Sequence, residues 1–333
     1  MVSLLIKPGF ALLISFLVTF YLVPLCIKIA HRLQFLDNPD GMVKVHKQAT
    51  PYMGGIAVYV GFLAAFCMTI PFESTMLLFF AGSTLLLFIG LIDDLIVLKP
   101  YQKFFGQILA TLCFLKAGFH LKAQFFSNIW NLPISALWIL SLVNAFNLVD
   151  VMDGLATLLA LCATVSFLLI ALYFNDISAA ILLCCFLGPL IAFLWYNRPT
   201  AKIYLGDAGS LFIGGLLATV PFLFNWGTYN ISGYLAPVIL LAIPLLELAT
   251  LIIIRTYKKI PFYLGSPDHF SIYLQRNGWS KQGILVYMTL LSLGLFLTAF
   301  LFLINMLSFW ALCLMAAFFL MLWITLLLYK WGH

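Results

Sequence analysis

Asp93 and Asp94 stand side by side at the end of an apolar run, in Phe88-Ile89-Gly90-Leu91-Ile92-Asp93-Asp94. Two adjacent carboxylates raise each other's cost of ionisation and attract a divalent cation, so the pair suits Mg²⁺ or a proton from an acidic phosphate. A solvated pair that ends a helix is the plainer alternative. Lys103 and Gln107 follow at i, i+4 spacing on one helical face, where they could reach a phosphate or a carboxylate. Asn144, Asn147, Asp150 and Asp153 recur at steps of three before Gly154. If a helix continued through them, the last three would occupy about one third of its circumference and face one ligand; packing alone would use them as interhelical hydrogen bonds. Gly206-Asp207-Ala208-Gly209-Ser210, preceded by Asn197, Lys202 and Tyr204, opens another apolar run. A helix N-terminus there would offer unpaired N–H groups to a diphosphate and Asp207 to Mg²⁺, although capping by Asp207 or Ser210 would explain the same residues.

Two further segments carry charge. Lys44-Val-His46-Lys47 precedes Pro51 and Gly54-Gly55, and fits either anion binding or simple marking of the cytoplasmic side. The longest polar stretch holds Arg255, Lys258, Lys259, then Asp268-His269-Phe270, then Arg276. Glu247 lies eight residues before Arg255, roughly 12 Å along a helix, and so sits below the membrane surface.

These residues are embedded in a chain of 333 residues that is 64% hydrophobic and 8% charged. A soluble domain is about half apolar and about a quarter charged, so a soluble enzyme, a disordered chain and a nucleic-acid-binding protein are excluded. Eleven apolar runs, at 9–30, 52–70, 75–92, 104–118, 133–149, 154–174, 177–195, 210–225, 233–254, 283–305 and 307–330, each approach the ~20 residues that cross a bilayer. The expected fold is all-α, a polytopic membrane protein of about 11 helices in one domain, with the first run a retained helix. The seven cysteines all fall in apolar runs and read as buried small hydrophobes.

Of the 17 Lys and Arg, all but Lys7, Lys116 and Lys122 fall in or beside loops 31–51, 93–103, 150–153, 196–209 and 255–282 or near the C-terminus. The positive-inside rule makes these loops and the C-terminus cytoplasmic and the N-terminus external. Eight of the 11 acids share that side, leaving Glu73 and Asp176 outside and Glu247 within a span. Acids take little part in orientation, so function is the better reason for their clustering.

On these residues the chain resembles the polyprenyl-phosphate N-acetylhexosamine-1-phosphate transferases. The match rests on Lys44-Val-His46 with Pro51 and Gly54-Gly55, Asp93-Asp94 with Lys103 and Gln107, Asn147-Leu-Val-Asp150-Val-Met-Asp153-Gly154, and Asn197 ten residues before Gly206-Asp207. The resemblance implies transfer of a sugar 1-phosphate from a UDP-N-acetylhexosamine to polyprenyl phosphate in the inner membrane, with Mg²⁺ or Mn²⁺ as cofactor. It implies Asp207 on the metal with Asp93 or Asp94, those two also near the lipid phosphate. Asn147, Asp150, Asp153, Asn197 and Tyr204 would surround the nucleoside or sugar. Lys44, His46, Lys103, Gln107 and Asp268 would join substrate binding and His269 the chemistry. Val151 stands where relatives carry Gly, and the last loop has one histidine where they carry two or three. GlcNAc-1-phosphate is the expected group, with a phospho-N-acetylmuramoyl-pentapeptide transferase as the alternative in the family and a secondary transporter of an anion as the alternative outside it. A homodimer is left open.

Overall fold

The computed structural model describes residues 2–37, 50–71, 74–122, 128–261 and 263–328. Lys44 and His46 lie outside the described residues. The chain divides into two compact units, Met1–Leu223 and Phe224–His333.

The first unit contains α1 (Val2–Arg32), α2 (Gly54–Thr69), α3 (Ser74–Ile96), α4 (Pro100–Lys116), α5 (Asn128–Val149), α6 (Leu155–Tyr173), α7 (Ile177–Asn197) and α8 (Gly206–Thr219). A minimal antiparallel bridge pairs β1 (Leu36–Asp37) with β2 (Thr50–Pro51). Almost every residue of α8 is buried. It packs against α2, α3 and α5, while α1 lies along α2 and α7, and α6 along α7. Aromatic rings fill the centre: Phe62 meets Phe186 at 6.2 Å and Phe212 at 5.8 Å between centroids, in edge-on and tilted arrangements that suit ring quadrupoles. Wrapping α8 in other helices places its polar N-terminus against protein from several sides.

The second unit holds α9 (Trp226–Tyr229), α10 (Ala236–Leu240), α11 (Ala242–Tyr257), α12 (Phe270–Arg276), α13 (Lys281–Leu303) and α14 (Phe309–Leu328). The segment Gly233–Leu240 meets α11 at 68°. Pro244 explains the break: it has no N–H for the Leu240 carbonyl, and its ring would clash with that carbonyl in a continuous helix.

Among the described residues each of the eleven apolar runs is mainly helical, with a break at Leu241 inside the run 233–254. Among the described residues eight helices are long and apolar enough to cross a membrane, and the bent pair makes a ninth if it counts as one span. With 16 and 17 residues, α2 and α4 fall short of the ~20 that a perpendicular crossing needs. Two expectations change. Cys67 and Cys313 are exposed on the surface of apolar helices instead of buried, and α5 ends at Val149, so Asp150 and Asp153 lie in a turn and do not extend a helical stripe from Asn147.

Candidate active site

In the first unit four helix ends bring charge together. Asp93 sits in the last turn of α3, where its Oδ1 accepts the Leu98 N–H at 2.6 Å and closes the turn into α4. Its Oδ2 lies 2.8 Å from Nζ of Lys103, which projects from the first turns of α4. The same ammonium pairs with Asp207 Oδ2 from α8 and donates to Asn147 Oδ1 of α5 at 3.1 Å. Asn147 in turn donates to Asp207 Oδ1 at 2.8 Å and to the buried Ser210 hydroxyl at 3.0 Å. Two carboxylates from different helices thus converge on one cation, with an amide fixing the second of them.

Asp94 does something else. Its two oxygens accept the backbone N–H groups of Asp207 at 2.9 Å and Ala208 at 3.2 Å. The amides that the sequence offers to a diphosphate are therefore already bonded, and the carboxylate expected near metal or lipid phosphate caps α8 from a neighbouring helix. This contact needs glycine at two places. Gly206 has φ +72, and a Cβ there would meet Asp94 Oδ2 at 2.6 Å, while a Cβ on Gly90 would strike the backbone of Asp207.

Asp150 is half-buried in the turn after α5. Burial, followed by the charges of Asp207, Asp94 and Asp153, pushes its carboxyl well above the usual carboxylate range. Asp153 is half-buried in the same turn.

Two expected substrate contacts turn out to be internal. Gln107, 1% exposed, exchanges hydrogen bonds with Asn144, at 2.8 and 3.3 Å, and seams α4 to α5 instead of reaching a phosphate. Asn197, 2% exposed, accepts from Gly154 N–H at 3.0 Å and the Thr157 hydroxyl at 3.1 Å and donates to Ile203 O at 2.9 Å. It ties the 150–154 turn to the segment before α8, with its oxygen and one of its two N–H groups taken by protein. Asn197→Ala should accordingly cost about 2–3 kcal/mol of stability, as expected when buried N–H and C=O groups lose a partner, read as a lower thermal midpoint in detergent. A large rise in KM for nucleotide with stability intact would restore the substrate role. Tyr204 N–H donates to Pro51 O at 2.8 Å, and Gly54 and Gly55 donate back to Tyr204 O and Leu205 O at 3.0 and 2.9 Å. The half-buried Tyr204 ring sits 5.9 Å from that of Tyr52.

In the second unit Glu247 and His269 form a buried pair, with Oε1 3.0 Å from Nδ1. Arg255 Nε donates to Ser266 Oγ at 2.9 Å. Asp268, read as a substrate residue, pairs instead with Lys258 at 2.6 Å. Partial burial opposes its ionisation, but the bond to Lys258, helped by Ser266 and Arg255, holds its carboxyl below the usual range.

Similarity to known proteins follows the same residues. The profile described as glycosyl transferase family 4 matches residues 76–225. The phospho-N-acetylmuramoyl-pentapeptide-transferase of Thermotoga maritima is 31% identical over 299 residues, which cover 84% of this chain and 94% of that protein. The chain belongs to glycosyl transferase family 4. Another relative, from Desulforamulus reducens and bearing the same name, is 30% identical over 312 residues, 84% of this chain and 90% of its own length. The probable undecaprenyl-phosphate N-acetylglucosaminyl 1-phosphate transferase of Bacillus subtilis is 28% identical over 283 residues, 82% of this chain and 78% of that protein. Membership makes the chain a transferase and sets the transporter alternative aside. The family 4 match runs from α3 to just past α8, and so takes in Asp93, Asp94, Lys103, Asn147, Asp150, Asn197 and Asp207 while leaving out Glu247 and His269.

Among the described residues no three His, Cys, Asp or Glu side chains form a group that could hold a metal ion by themselves. A divalent ion that carries substrate phosphate needs fewer protein ligands, and Mg²⁺ commonly takes one or two carboxylates. Asp93 and Asp207 meet that requirement, since their oxygens already share a cation in Lys103. Asp94 is engaged by the backbone N–H groups of α8. Ser210, which the sequence offered only as a helix cap, joins the site through the bond that it accepts from Asn147, a role that depends on contacts between helices.

Proposed function

We propose that the chain transfers N-acetylglucosamine 1-phosphate from UDP-GlcNAc to a polyprenyl phosphate such as undecaprenyl phosphate, at the cytoplasmic face of the inner membrane. The observation that carries this is the convergence of Asp93, Asp207, Lys103 and Asn147 at the polar ends of apolar helices. One substrate is water-soluble and the other is held in lipid, so the chemistry belongs where such helices end. A phosphate oxygen of the lipid bonds to the sugar-bearing phosphorus, the bond from that phosphorus to the bridging oxygen breaks, and UMP leaves with the electron pair. Asp207 and Asp93 would hold Mg²⁺, which supplies positive charge to the diphosphate. Lys103 moves from the two acids to phosphate oxygens, Asn147 keeps Asp207 oriented, and Asp94 fixes the α8 terminus on which Asp207 rides. Positioning and charge neutralisation then do most of the work, as in other phosphoryl transfers.

Release of labelled UMP from UDP-GlcNAc, dependent on undecaprenyl phosphate and Mg²⁺, tests the proposal. No release would sink it. The relatives named as pentapeptide transferases support a second donor, UDP-MurNAc-pentapeptide, and a faster reaction with that donor would reassign the sugar.

His269 is assigned to binding of the sugar nucleotide and not to proton abstraction, because a phosphate monoester with a second pKa near ~6 is largely ionised at neutral pH. His269→Ala should lower activity roughly 10- to 100-fold, or about 1.4–2.7 kcal/mol, mostly through KM for the UDP-sugar. Complete loss of turnover with unchanged nucleotide binding would reverse that role.

The cytoplasmic placement has its own check, motivated by the bias of Lys and Arg. In a cysteine-free background, Ser266→Cys should resist an impermeant thiol reagent applied outside cells, whereas Lys122→Cys should react. The opposite pattern would invert the topology and remove UDP-sugar from the side of the acids.

A further inference from the structure

Glu247 lies within α11 and is 3% exposed. A carboxylate inside an apolar helix is costly unless its oxygens are engaged. Both are: Oε1 is 3.0 Å from His269 Nδ1 and accepts the Phe270 N–H at 3.2 Å, and Oε2 lies 3.4 Å from the same N–H. The segment is held from a second direction as well. The Phe270 ring stacks on Trp323, with centroids 3.8 Å apart and planes 11° apart, and Trp323 Nε1 donates to Thr250 Oγ1 at 3.0 Å on the same helix as Glu247. Both the backbone where α12 begins and one nitrogen of the imidazole are therefore fixed by α11.

The hydrogen bond made by one ring nitrogen decides what the other can do. With Nδ1–H donating to Glu247, neutral His269 has Nε2 as an acceptor, and Nε2 makes no hydrogen bond among the described residues. We infer that Glu247 is a positioning residue for the transfer reaction, holding His269 in one tautomer and orientation so that Nε2 accepts from an O–H or N–H of the donor's sugar. This rests on the assignment of His269 to sugar-nucleotide binding.

A double-mutant cycle with an NMR readout tests it. Glu247→Ala should raise KM for UDP-GlcNAc about 10-fold with little change in kcat, inside the range of couplings between contacting residues. In a His269→Ala background the same change should add less than about 2-fold, since the residue through which it acts is gone. Imidazole ¹⁵N spectra should show the Nδ1–H form of His269 in the unmodified protein, its loss in Glu247→Ala and its return in Glu247→Gln, which keeps an acceptor. Glu247→Gln should also recover most of the lost affinity, and it serves if Glu247→Ala does not fold. Additive losses in the double variant, or a His269 tautomer unchanged by Glu247→Ala, would overturn the role of Glu247 while UMP release by the unmodified protein continued. Absence of UMP release in the unmodified protein would instead defeat the transfer assignment and the role with it.

Discussion

Asp207→Asn should leave a folded protein that transfers sugar phosphate about 10³-fold more slowly, a loss near 4 kcal/mol at the barrier. The substitution is close to isosteric. Asn can still offer an oxygen to Asn147, and the backbone N–H groups that Asp94 caps are untouched. What disappears is one of the two negative charges that converge on Lys103. If Asp207 served α8 merely as a cap, Asn would do nearly as well and activity would stay close to normal. Turnover over a Mg²⁺ series, with the thermal midpoint measured alongside, separates the two. Near-normal rates at modest Mg²⁺ would remove Asp207 from the metal.

Lys103→Met should slow transfer at least ~10²-fold, the scale of losing one preorganised charge at a phosphoryl-transfer site. The side chain lies between Asp93 and Asp207 with 17% exposure, and Met keeps most of its apolar contacts while deleting the ammonium. The two acids then face each other without a counter-charge, which should cost about 3 kcal/mol of stability, as breaking buried ion pairs does. A divalent ion that binds only the folded protein should return that stability. Mn²⁺ titration followed by electron paramagnetic resonance should show affinity at least equal to that of the unmodified protein, because the ion no longer competes with Lys103. Weaker Mn²⁺ binding, or instability that Mg²⁺ does not correct, would mean that the lysine builds the site and does not share it with metal.

Much of the fold was legible because the bilayer imposes a one-dimensional rule. A stretch of ~20 apolar residues is a helix wherever it stands, since its backbone has no other partner in hydrocarbon. All eleven runs are mainly helical, although among the described residues eight helices, or nine with the bent pair, are long and apolar enough to span. The rule is silent where a helix bends or stops short: the break before Pro244 fell inside one continuous apolar run, and α5 ended at Val149 although residues spaced by three continued through Asp153. The acids and Lys103 were legible for a related reason, as charges at the ends of apolar runs are costly and few.

Residue type and spacing by themselves determined that the chain is an all-α membrane protein, that its charges are few and concentrated at the ends of apolar runs, and which side chains are candidates. They could not divide those candidates between substrate and scaffold. Asp93 and Asp94 are neighbours in sequence, yet one pairs with Lys103 and the other caps α8, because consecutive helical residues point about 100° apart and meet different partners. Asn147 and Asn197 are the same residue type at two helix ends, yet one orients Asp207 and the other is buried and bonds Gly154, Thr157 and Ile203. Such roles are set by hydrogen bonds that span from 6 to 114 positions of sequence. An amide or carboxylate carries no mark of which partner will take its few bonds, and only the packing of α3, α4, α5 and α8 around one another decides which polar atoms remain for a ligand.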